Sequence, residues 1–312
     1  MKVLSELEIR ALYHEENALA KVREGFLAWS RGHVQMPPVQ QFLFDEAGGD
    51  CCIKSAWISG SDSFSVKIST GFYRNPQRGL ASNDGLIMLL SAVTGQPQVL
   101  LSDHGWLTAM RTALAGRIVA GYLMPARVER IAIFGAGLQA ELQLRQLLKI
   151  TSCRRVMVWG RSTSSLERFL QSVSDLDADI RVTQDAETAA RGSQLIVTAT
   201  PSTTPLIHRS WIAPGAHITA VGADAPGKQE LDASLLEAAQ CVMVDSATQC
   251  RAYGELSQVD RELPLRVIEI GTLLAHPGLY QRKDDDITVA DLTGLGVQDL
   301  QIALSILEQL QA

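Results

Sequence analysis

Gly135-Ala136-Gly137-Leu138-Gln139-Ala140 reads G-x-G-x-x-A and sits where a short apolar run hands over to a helical stretch. In that setting the first glycine allows a tight turn and the second lets a pyrophosphate approach the backbone. The small sixth residue lets helix and strand pack closely. A helix start also presents unpaired N–H groups and partial positive charge to phosphates. The plainer alternative is an ordinary strand–helix connection. The next apolar run ends Val158-Trp159-Gly160-Arg161-Ser162-Thr163, with no acid to accept from an adenosine ribose 2′-hydroxyl. Arg161, Ser162 and Thr163 suit a 2′-phosphate, so NADP(H) is preferred and NAD(H) stays open; otherwise Arg161 is a solvated surface residue. Arg111, among Leu107, Met110 and Leu114 in the first turn of a helix, suits bidentate capture of a substrate carboxylate. Its alternative is a salt bridge to a buried acid. Asp224 closes the run His217 to Ala223 at the edge where ligands bind in such sheets, placed for general acid–base work. Its alternative is a helix N-cap.

The elements that must hold these groups fall into two patterns. Ser5-x-x-Glu8 is a capping box, and Leu7, Leu12, Leu19, Val22 and Phe26 follow at helical spacing, predicting one or two helices over 6–31. Short β-like runs follow at Gln41–Phe44, Asp50–Lys54 and Ser65–Ile68, with two more at 86–93 and 98–101. Leu107 to Leu123 reads as a helix rich in small residues. This half is α+β and largely antiparallel. From Arg130 the runs IAIF, RVMVW, LIVTAT, HITAVGAD and CVMVD alternate with helical stretches, the signature of a doubly wound, Rossmann-type parallel sheet. An amphipathic helix over Val297 to Leu310 ends the chain. The expected division is an α+β substrate-binding and dimerisation domain, 1–115 plus 297–312, and an NAD(P)-binding domain, 116–296.

The chain has 312 residues, 46% hydrophobic and 20% charged, with a net charge of -6. That charge supplies no basic excess for a phosphate backbone, so no nucleic acid is expected as a partner. The five cysteines are odd in number and lack Cys-x-x-Cys spacing, which fits thiols in a reducing compartment. His14, His33, His104, His208, His217 and His276 show no ligand spacing, so no metal is expected. Glu6, Glu8 and Arg10 interrupt any leader-like run, and Gly95, Gln96 and Pro97 break the longest uncharged stretch. A cytoplasmic protein without a membrane span is the expectation.

With the second half read as a nucleotide domain, further segments become recognisable. LTAMRTALAG at 107–116 resembles the Leu-Thr-x-x-Arg-Thr-Ala-Ala segment of the ornithine cyclodeaminase/mu-crystallin family. The turn at 133–140 is similar to that family's Gly-x-Gly-x-Gln-Ala, and Val221 to Leu231 to its Gly-Ala/Gly-Asp-x-Pro-Gly-Lys-x-Glu-Leu stretch. Asp291-Leu292-Thr293-Gly294 and Gln298-Asp299 are similar to its C-terminal signature. The resemblance runs from about residue 5 to 310.

It implies a homodimer built on the N-terminal domain, a nicotinamide cofactor in the cleft between domains, and hydride chemistry at the carbon bearing a carboxylate. It further implies that Lys67 orients or polarises the substrate, although an edge-strand lysine facing water is the ordinary reading. Thr112 would meet the cofactor phosphates. Ser82, Leu138, Gln139, Thr200, Val221, Gly222 and Lys228 align with cofactor-contacting positions. Departures from the family separate its branches. Gln40 stands near where a second carboxylate-clamping arginine is common, leaving substrate binding to Gln40, Lys67 and Arg111. Asp50 to Ser55 lacks the Glu before Met-Pro that cyclodeaminases carry, and Leu292 replaces a frequent serine. These changes favour NAD(P)H-dependent reduction of a 2-imino carboxylate, best a cyclic ketimine such as Δ1-pyrroline-2-carboxylate or Δ1-piperideine-2-carboxylate. Ornithine cyclodeamination, an acyclic amino-acid dehydrogenase and a non-catalytic NADP-binding crystallin-like role are the alternatives.

Overall fold

A computed structural model describes residues 1–260 and 262–311. The chain divides into two compact units, Met1–Arg111 with Leu295–Ala312, and Thr112–Gly294.

In the first unit, β1 (Lys2–Ser5) leads into α1 (Glu6–Leu12), where Ser5 and Glu8 form the capping box in full. After α2 (Glu15–Ser30) come β2 (Val34–Gln35), β3 (Gln40–Phe44), β4 (Gly49–Ile58), β5 (Ser63–Phe72), β6 (Asn83–Ser91), β7 (Pro97–Ser102) and the start of α3 (Trp106–Leu123). The sheet runs β1-β7-β6-β5-β4-β2, with β3 also on β4; all pairs are antiparallel except β1 with β7. Strands β4 and β5 are longer than the runs read from sequence. Their ladder is continuous from Gly49 opposite Phe72 to Trp57 opposite Phe64, so Ser55 and Ser69 are carried by cross-strand pairing rather than by propensity. One face carries Ala56, Lys67, Ile87, Leu89 and Leu101, all buried. The C-terminal helix, Gly296–Gln311, packs on that face and on α2. Gly296 leaves no room for a side chain there: a Cβ would lie 2.9 Å from the Ser55 carbonyl oxygen.

The second unit alternates β8 (Ile131–Phe134), α4 (Leu138–Leu147), β9 (Arg155–Trp159), α5 (Thr163–Ser172), β10 (Asp179–Thr183), α6 (Ala186–Ala190) and β11 (Leu195–Thr198). Then follow β12 (Thr203–Ile207), β13 (His217–Ala220), β14 (Gln229–Leu231), α7 (Ala233–Glu237), β15 (Cys241–Val244), α8 (Ala247–Tyr253), β16 (Val267–Glu269), α9 (Ile270–Ala275) and β17 (Thr288–Asp291). Among the described residues, eight strands pair in parallel in the order β10-β9-β8-β11-β13-β17-β15-β16, the doubly wound sheet expected. Its central strands are buried throughout, so they read as continuous apolar runs. Strand β17 escaped that reading because Thr288 and Asp291 dilute a four-residue segment. Among the described residues, no helix is long and apolar enough to cross a membrane.

Candidate active site

The chemistry-bearing residues of the first unit gather on the helix-covered face of its sheet. Lys67 points from β5 and its ammonium lies 2.8 Å from Asp299 Oδ2, both side chains being buried. Arg111 Nε donates to Asp299 Oδ1 at 2.9 Å, and Arg111 Nη1 to Gln298 Oε1 at 3.3 Å. The helix carrying Arg111 begins at Trp106, which corrects the first-turn expectation: the residue lies in the second turn. The salt bridge to a buried acid, weighed above as its alternative, is present. Burial drives the Lys67 ammonium down to about 8; Arg111 and Lys54 add to that and Asp299 opposes it. Burial would raise the Asp299 carboxyl, but Lys67 and Arg111 hold it below the ordinary range. Asp103 Oδ2 accepts from Leu107 N at 2.7 Å at the start of α3, and burial lifts its carboxyl to about 6. The result is a buried site where two cations share one carboxylate. Lys54, directly opposite Lys67 in the ladder and also buried, escaped sequence reading, as did Asp299 as the anchor of the pair. The long sequence separation of Asp299 from Lys67 hides that pairing. Gln40 is exposed at the start of β3, and Ser82 presents its carbonyl to Phe72 N at 2.6 Å.

In the second unit the glycine turn follows β8. Gly135 has φ +126, and a Cβ there would meet the Ala199 carbonyl oxygen at 2.7 Å, so the turn requires glycine. Gly137 caps α4, and nothing lies within 4 Å of where its Cβ would be. Open space over the start of a ten-residue helix, with Leu138 half exposed beside it, fits a dinucleotide pyrophosphate. Gln139 Oε1 accepts from Gln143, which also donates to the Thr112 carbonyl. Arg161 follows β9 and is exposed. Ser162 spends its hydroxyl as the N-cap of α5, and the Thr163 hydroxyl accepts from Gln184.

Asp224 lies in the loop after β13, past Val221 and Gly222. The chain proceeds from it to β14 rather than a helix, so the N-cap alternative is excluded by the structure. Its carboxylate is 2.6 Å from Lys228 Nζ and is half exposed. Thr200 and Gly222 are brought together by a residue not singled out from sequence, Glu230. Its buried carboxyl accepts from Thr198, Thr200 and Gly222, and burial raises it to about 7. The signal was available: an acid three residues past Gly227, followed by a leucine in the same short strand.

The family model for ornithine cyclodeaminase/mu-crystallin proteins matches residues 1–312. The chain belongs to the ornithine cyclodeaminase/mu-crystallin family. Within this family it is 38% identical over 313 residues to a putative dehydrogenase of Rhizobium meliloti, covering 97% of this chain and 94% of that protein. It is 31% identical over 286 residues to ketimine reductase mu-crystallin of Macropus fuliginosus, covering 90% and 87%. Among solved structures it is similar to a dimeric archaeal alanine dehydrogenase with bound NAD, at TM-score 0.89 and 30% identity over 100% and 96% of the two chains. The NAD+ complex of the iminosuccinate reductase of Paracoccus denitrificans superposes at TM-score 0.86 with 25% identity, over 100% and 96%.

Proposed function

We propose that this family member is an NAD(P)H-dependent oxidoreductase that reduces a 2-imino carboxylate to the L-amino acid. A cyclic ketimine, Δ1-pyrroline-2-carboxylate or Δ1-piperideine-2-carboxylate, is the substrate we infer. The observation that carries this reading is the placement of Lys67 and Arg111 on one shared carboxylate, Asp299, in a buried site. Two buried cations for one buried anion leave a positive charge that a substrate carboxylate neutralises. Arg111 binds that carboxylate, Lys67 orients and polarises the imine end, and Asp224 exchanges the proton at nitrogen. The bound nicotinamide supplies the hydride, with Gly135, Gly137 and the start of α4 holding its pyrophosphate. We infer NADP(H) as the preferred form, because Arg161 is an exposed cation after β9 where an acid would favour NAD(H). The relatives' chemistry, ketimine and iminosuccinate reduction, supports the same class of reaction.

A second copy of the chain is the partner we infer. The sheet face opposite the C-terminal helix carries Trp57, Phe64 and Val66 only half buried, and they line a cavity of about 520 Å³. Sedimentation at micromolar concentration tests this; a monomer contradicts it.

The function is tested by following NADPH, then NADH, with both cyclic ketimines, alongside ammonia release from ornithine. Ketimine-dependent oxidation is the expected result. Ornithine giving proline and ammonia, with no turnover of either ketimine, contradicts the proposal.

A further inference from the structure

The structure assigns Glu230 as a positioning residue, whose carboxyl group ties the ends of β11 and β13 together and so sets the loop that carries Asp224. This rests on the proposal that Asp224 exchanges the substrate proton.

Four hydrogen bonds from two segments, the exits of β11 and β13, converge on Glu230. Oε1 accepts from the Thr200 backbone N–H at 2.6 Å and from the Thr200 hydroxyl at 2.7 Å. Oε2 accepts from the Thr198 hydroxyl at 2.7 Å and from the Gly222 backbone N–H at 2.8 Å. Each oxygen thus takes one backbone N–H and one hydroxyl, and the side chain is fully buried. The backbone of Glu230 is held in turn by Glu255, whose two oxygens accept from Glu230 N at 2.7 Å and Leu231 N at 3.1 Å.

The bonds to Glu230 close a loop at its base. Gly222, at one end, donates to the carboxyl of Glu230, at the other. Inside it Asp224 N donates to the Gly222 carbonyl at 3.0 Å, and Asp224 meets Lys228. Gly222 cannot take a side chain. A Cβ there would lie 2.1 Å from the Thr200 carbonyl oxygen and 2.5 Å from the Glu230 carboxyl carbon. A fully buried acid is costly unless its acceptor sites are filled, and here they are filled only by the two strand exits. A sheet needing only a core filler would be served by an apolar residue.

The test uses Glu230→Gln, Asp224→Asn and the double variant of the full chain, with NADPH and Δ1-piperideine-2-carboxylate. Whichever way the glutamine amide turns, its NH₂ faces one of the two backbone N–H groups, so the tie cannot re-form. Expected for Glu230→Gln is a kcat loss of about tenfold or more, with KM and NADPH binding changed by less than about threefold. In the Asp224→Asn background the same substitution adds nothing, since both act through one group. Equal losses in both backgrounds, or an unchanged kcat, overturn the assignment. An Asp224→Asn protein at full wild-type rate instead overturns the proton-exchange reading and the assignment with it. Thr198→Val, which removes one hydroxyl and keeps the acid, repeats the cycle if the glutamine variant fails to fold. Amide exchange needs no substrate. Faster exchange in either variant confined to 200 and 221–228 is expected, and unchanged exchange there overturns the assignment.

Discussion

Lys67 and Asp299, far apart in the sequence, meet at 2.8 Å on the covered face of the N-terminal sheet, and the same carboxylate holds Arg111 at 2.9 Å. One buried acid therefore fixes the two cations assigned to the substrate. Asp299 orients both without being needed to touch the substrate.

Asp299→Asn should cost about 3–5 kcal/mol of stability, because it leaves Lys67 and Arg111 buried without their anion. Denaturant unfolding of the wild type and the variant measures it. A loss under about 1 kcal/mol would mean that solvent or another group already neutralises the pair.

Lys67 titrates at about 8 when buried beside Arg111 and Lys54. In the proposed reaction its protonated form orients the imine, so kcat/KM should hold level below pH of about 8 and decline above it. Lys67→Arg, which stays charged, should lower the rate but remove that decline. A decline that survives in Lys67→Arg places the titration elsewhere, on the substrate or another residue.

Stability should fall between about pH 6.5 and 8. Burial raises Glu230 and Asp291 to about 7 and Glu255 to about 9. In that window the unfolded acids have already lost their protons, while folded Glu255 keeps its own and folded Glu230 and Asp291 give theirs up only as the pH passes about 7. The folded state binds more protons, so raising the pH favours unfolding. His217, lowered to about 3 by burial, has the opposite slope, but only below the ordinary histidine range, and Lys67 opposes only above about 8. Melting temperatures at pH 6.5 and 8 decide the sign, and a higher value at pH 8 is incompatible with these assignments.

The glycine turn, the doubly wound parallel sheet and the family were legible because each is written in contiguous residues: Gly135 to Ala140, and apolar runs a few residues long. Asp224 was legible too, since its place after β13 follows from the end of an apolar run. What escaped was non-local. Asp299 sits on a helix far along the chain from Lys67, and no spacing reports that contact. Lys54 is across a strand from Lys67, visible only once the register is known. Glu230 lay within a quoted motif, but its function as a bridge depends on three backbone segments meeting. Strand β1 pairs with β7 in parallel, and four residues at the start of a chain give periodicity little to work with.

Arg161→Ala should weaken NADPH binding about tenfold or more and leave NADH within about twofold, as expected for losing a charge-assisted hydrogen bond to a 2′-phosphate. Cofactor fluorescence titration measures both. A wild-type protein that already binds NADH more tightly contradicts the NADP(H) preference.

The central claim is hydride transfer to the carbon that bears the carboxylate. NADPH deuterated at C4 on each face in turn, incubated with Δ1-piperideine-2-carboxylate, tests it by mass spectrometry of the amino-acid product. One face should deliver a single deuterium at C2 of L-pipecolate and the other none. Product lacking deuterium from either face, or no product from this ketimine and Δ1-pyrroline-2-carboxylate alike, would contradict the account.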